Sequence, residues 1–129
     1  MKKEIVISLV IILTVIVGNI FTQNYTKECI RVVTEDLETL KTEAREEEKN
    51  QKKIEEKINH IRNHWDEMQE KLAFYIEHDE LEKVETQISA LKGDIESKLY
   101  QDMLPEIEKC SFILEHIADK TTLNIKNIF

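Results

Sequence analysis

The run Ile5 to Phe21, IVISLVIILTVIVGNIF, constrains this chain more than any other feature. Its seventeen residues carry no charge, and only Ser8, Thr14, Gly18 and Asn19 interrupt the apolar sequence. As a helix it is about 25 Å long, close to the roughly 30 Å hydrocarbon core of a bilayer. Thr22 and Gln23 extend it into the interface. Ile and Val are modest helix formers in water, but in lipid the backbone can satisfy its polar groups only internally. A cleaved signal peptide has a shorter apolar core and a small-residue cleavage site. The nearest approach here is Val17-Gly18-Asn19, and Cys29 lies too far beyond the run to serve as a lipoprotein cysteine. The sequence therefore predicts a basic leader at 1–4 and an uncleaved transmembrane anchor over 5–23. Lys2, Lys3 and the terminal amine outweigh Lys27 and Arg31, which Glu28 offsets. The positive-inside rule then puts the N-terminus in the cytoplasm and the rest of the chain outside the cell membrane.

The remaining residues have helical character. In 129 residues there are two Gly and one Pro, and 34% of side chains are charged. That is one small domain, too poor in turn residues for a β-sandwich or a phosphate-cradling loop. A formal charge of −8 disfavours nucleic-acid binding. Apolar residues recur at three- and four-residue steps in four segments. The first is Ile30, Val33, Leu37, Leu40 and Ala44. The second is Ile54, Ile58, Ile61, Trp65, Met68, Leu72 and Tyr75. The third is Leu81, Val84, Ile88, Leu91 and Ile95. The fourth is Leu104, Ile107, Ser111 or Cys110, Leu114 and Ile117. Each stripe needs a partner.

The expected fold class is all-α: a single transmembrane helix followed by an antiparallel helical-hairpin bundle of about four helices within 24–120. The helices are placed at about 25–48, 50–78, 80–98 and 102–118. Asp79 and Glu82 read as a capping box that ends the second helix near His78. Pro105 fits the first turn of the fourth, with Asp102 as a cap. Gly93 costs the third helix stability and suggests a close helix contact. The first boundary has two readings. A turn near Asn50 makes a hairpin; without it, one long self-associating stalk runs to His78. Glu47 and Gln51 on the seam favour the hairpin. Residues 121–129 read as an extended tail packed on the bundle.

Several stretches resemble a family of short, anchored, all-helical bacterial proteins, domain of unknown function 4363. They are the leader and anchor, the Trp65 region, Ile76-Glu77-His78-Asp79-Glu80, Phe112-Ile113-Leu114-Glu115-His116-Ile117 and the final Asn127-Ile128-Phe129. The family often has an Asp-Trp pair at the turn into the second helix, where this chain has Asn50-Gln51. The resemblance implies an anchored helical fold and no known activity. Similar proteins are encoded beside multi-pass membrane proteins in spore-forming bacteria, which implies a membrane partner.

No motif identifies a reaction, and the expectation is a protein without catalysis or cofactor. His60 and His64, four apart with Glu67 beyond, have zinc-ligand spacing but read as a solvated face. His78 and His116 read as helix C-terminal residues at one end of the bundle. With Glu80 they form the metal or pH-sensing candidate. Cys29 and Cys110 read as free, buried thiols. Phe74, Tyr75, Glu80 and Glu85 are the candidate partner contacts. From Leu72 to Asp119 there are four basic and twelve acidic side chains, which read as a solubilising surface or, alternatively, as a docking face for a basic partner. The expected partners are the bilayer and another multi-pass membrane protein, or a second copy of the chain, and no nucleic acid.

Overall fold

A computed structural model describes the backbone of residues 1–128 and the side chains of residues 1–122. It contains four helices: α1 (Lys2–Arg45), α2 (Gln51–Leu72), α3 (His78–Glu96) and α4 (Tyr100–Ile128). α1 packs on α2 and α4, and α3 packs on the same two. The helices therefore form an up-down-up-down ring, the arrangement that short connections impose. α1 is one unbroken helix of 44 residues, about 66 Å long. Its first half contains an exposed stretch long and apolar enough to cross a membrane. Its second half is the first helix of the bundle.

The four stripes meet in one core. Val33, Leu37 and Leu40 of α1 pack with Ile54, Ile58, Ile61 and Trp65 of α2. Val84, Ile88, Leu91 and Ile95 of α3 and Ile107, Leu114 and Ile117 of α4 complete it. The α4 stripe differs from the expected one by a single position. Met103 and Cys110 are fully buried, while Leu104 and Ser111 are only half-buried. Met68 is half-buried and Tyr75 exposed, because the α2 helix has ended at Leu72 before Tyr75 is reached.

The chain turns between α1 and α2 at residues 46–50. The Asn50 side chain accepts the Lys53 backbone N–H at 3.1 Å, which satisfies an otherwise orphaned helix donor. Gln51 donates to the Ile95 carbonyl at 2.9 Å and accepts from the Tyr100 hydroxyl. A polar residue on the seam thus ties this turn to the α3–α4 turn.

Three boundaries differ from expectation. α2 stops at Leu72, so His78 opens α3 instead of closing α2, and Glu77 precedes it without a side-chain cap. α4 begins at Tyr100 and contains Pro105 within it. The segment expected to be an extended tail continues α4 as helix through Ile128. Within this segment Thr122 meets Gln23 of α1, and the side chains of residues 123–129 lie outside the described residues. Gly93, expected at a close contact, faces open space.

Candidate functional site

The up-down order brings three segments together beside the apolar stretch: Thr22–Thr26 of α1, the α2–α3 turn and the end of α4. At this proximal end the Tyr75 hydroxyl lies 2.7 Å from Thr26 Oγ1 and 3.2 Å from the Thr22 carbonyl. Gln23 donates to Thr122 at 3.3 Å. Thr26 also donates to the Thr22 carbonyl at 2.7 Å, so this buried hydroxyl is satisfied. These bonds hold the α2–α3 turn against α1.

Two kinds of surface adjoin there. One is aromatic: Phe21, Tyr25, Phe74 and Tyr75, with Thr22 and Lys71, line an open, mostly apolar hollow of 410 Å³. Phe74 is 89% exposed, and the Lys71 ammonium sits 5.8 Å from the centre of the Tyr25 ring. The other is ionic. Glu80 is buried against a cavity of 70 Å³ that Tyr75, Ile76, Glu77, Ile117, Lys120 and Thr121 also line. Lys83 donates to it at 3.2 Å, and Lys120 lies 3.6 Å from both Glu80 and Glu77. The Lys83 ammonium holds the Glu80 carboxyl below the ordinary range, with help from Lys120 and His116 and against the opposing effect of burial.

The candidate residues separate accordingly. Phe74 and Tyr75 stand at the aromatic hollow. Both lysines approach Glu80 through Oε1, while its Oε2 is buried without a hydrogen-bond partner among the described residues. Glu85 is half-buried on α3. His116 is near enough to act on the Glu80 charge. His78 is 87% exposed and approaches only Glu82, at 3.9 Å, so the expected meeting of His78, Glu80 and His116 does not form. Cys29 and Cys110 are buried, free thiols. Burial pushes the Cys110 thiol up to about 12, which keeps it protonated and inert.

A further group lies midway along the bundle. His64 Nδ1 is 2.7 Å from Asp36 Oδ2 on α1, and His60 Nε2 is 3.9 Å from Asp36 Oδ1. The two imidazole rings are 4.0 Å apart. His64 is therefore half-buried and bonded, not on the solvated face expected for the pair, whereas His60 is 60% exposed. Sequence spacing identified the two histidines but not Asp36. The turn at 46–50 makes α1 and α2 face each other where residue numbers add to about 100, as 26 with 75, 36 with 64 and 43 with 53 do. That register was the signal for Asp36. Lys120 and the 70% exposed Phe112 carried no such signal.

The model of a family described as domain of unknown function, DUF4363, matches residues 20–128. The chain belongs to this family. The match spans the whole bundle and begins near the end of the apolar stretch, so what the DUF4363 family shares with this chain is the four-helix body. No curated protein and no solved structure matches it.

Proposed function

We propose that this DUF4363 protein is a non-catalytic accessory module, anchored in the cell membrane by α1, that binds another membrane protein. The N-terminus is cytoplasmic and the bundle extracytoplasmic, following the Lys2 and Lys3 bias. One observation carries the reading: Phe74 is almost fully exposed on a turn bonded to α1 at Thr22 and Thr26, directly beside the apolar stretch. An exposed aromatic beside other aromatics and a lysine is the composition of a binding anchor. Its position limits the partner to something at the membrane surface. The acidic face of α3 and α4 adds preference for a basic partner.

Self-association as a stalk has less support. The turn at Asn50 folds the seams inward, and the bundle buries all four of them. Photo-crosslinking in intact cells tests the proposal. A crosslinkable residue at Phe74 is expected to yield one discrete adduct with a multi-pass protein, and the same residue at Leu99, on the distal α3–α4 turn, to yield none. Adducts of the chain with itself alone, or identical adducts from both positions, overturn it.

A further inference from the structure

We propose that Asp36, His60 and His64 form a binding site for a divalent transition-metal ion, zinc being the best match, that staples α1 to α2. His60 and His64 are four residues apart on α2, so both rings leave the same helix face. Asp36 reaches that face from α1. One ligand atom from each of the three, an imidazole nitrogen or a carboxylate oxygen, lies within 4.8 Å of the others. Zinc binds such atoms at about 2.0–2.2 Å, which in tetrahedral geometry sets neighbouring ligands about 3–3.5 Å apart. The His64–Asp36 distance must lengthen slightly and the His60–Asp36 distance shorten. His60 is 60% exposed, so rotation of its side chain supplies the movement while both helices stay in place.

A simple ion pair explains less. One imidazole is enough to satisfy Asp36, and His64 already does so. His60 then lies tilted against a second imidazole with no hydrogen bond of its own among the described residues. A cation uses all three side chains at once. Two nitrogens and one carboxylate oxygen suit zinc and its neighbours in the transition series, whereas calcium and magnesium require mostly oxygen. Three protein ligands leave a fourth position for water or a donor from elsewhere.

The test uses the full chain in detergent micelles and zinc alone as the probe. Competition with a chromophoric chelator is expected to show one zinc per chain. His60→Ala leaves the metal-free melting temperature unchanged, because His60 is exposed, but abolishes the zinc-induced rise in melting temperature. His64→Gln weakens zinc binding by more than the roughly ten- to hundredfold typical of losing an outer-shell partner. His78→Ala and His116→Ala retain both the binding and the rise, and magnesium produces neither. Absence of saturable binding, undiminished binding in His60→Ala, or one zinc per two chains overturns the proposal.

Discussion

Lys98 has a φ of 57°, the left-handed region that costs a residue with a Cβ about 1–2 kcal/mol. Its surroundings explain why it is there. The Leu99 N–H bonds the Asp94 carbonyl at 2.8 Å and the Lys98 N–H bonds the Ile95 carbonyl at 3.1 Å, the two-bond closure that favours glycine at this position. Lys98→Gly is therefore expected to raise stability by up to about 1 kcal/mol, read as a higher denaturant midpoint with an unchanged slope. A lower midpoint would mean that the lysine makes a compensating contact. At this scale the sequence was clear where a side chain acts locally, as Asn50 does on the Lys53 N–H. It was silent on Lys98, because neither the residue nor its neighbours signal a left-handed backbone.

Among the elements, α3 shows how an internal glycine can mislead. The open space around Gly93 means that nothing requires the missing Cβ. Gly93→Ala should stabilise the protein by about 1 kcal/mol, the ordinary helix-propensity difference, in the same denaturant measurement. Destabilisation would show that a methyl group there meets a neighbour after all. The end of α2 was hidden for a different reason. Leu72, Tyr75 and Ile76 keep helical spacing across a turn without glycine or proline, so periodicity continues where the helix does not. Asp79 and Glu82 then supplied a plausible helix start two residues late. In α4 the one-position shift from Leu104 to Met103 reflects adjacent apolar residues that periodicity alone cannot rank, and of the two readings Ser111 or Cys110 the structure buries Cys110.

At the proximal end of the whole molecule, one of the groups that join the helices, Glu80, titrates in acid. Glu80 has a folded value below its unfolded one, so its contribution is fully present above the unfolded value, about 4.3. It disappears as the pH falls through the lower, folded value. Asp94 has the opposite shift, raised chiefly by burial, and its protonation relieves the α3–α4 contact at the far end. Acidification should thus loosen the α2–α3 turn and the end of α4 first, seen as faster amide exchange there. Glu80→Gln is expected to flatten the acid limb of the melting curve; an unchanged limb would assign the acid response to other carboxylates. The all-helical bundle and its four stripes were visible as periodicity. Of the Asp36–His60–His64 group only the two histidines were visible, because Asp36 comes from another helix whose register depends on where the turn falls.

The continuity of α1 has a mechanical consequence. A flexible linker would let the bundle tumble as a tethered ball above the bilayer. Here no joint separates the apolar half of α1 from the half that builds the bundle. Under the proposed anchoring, with its first half in lipid, α1 acts as a drive shaft. Any rotation of the span about its axis sweeps Phe74 through the same angle, and any tilt raises or lowers it like the end of a lever. A neighbouring protein that grips the bundle would thereby steer the span, and one that grips the span would aim the bundle.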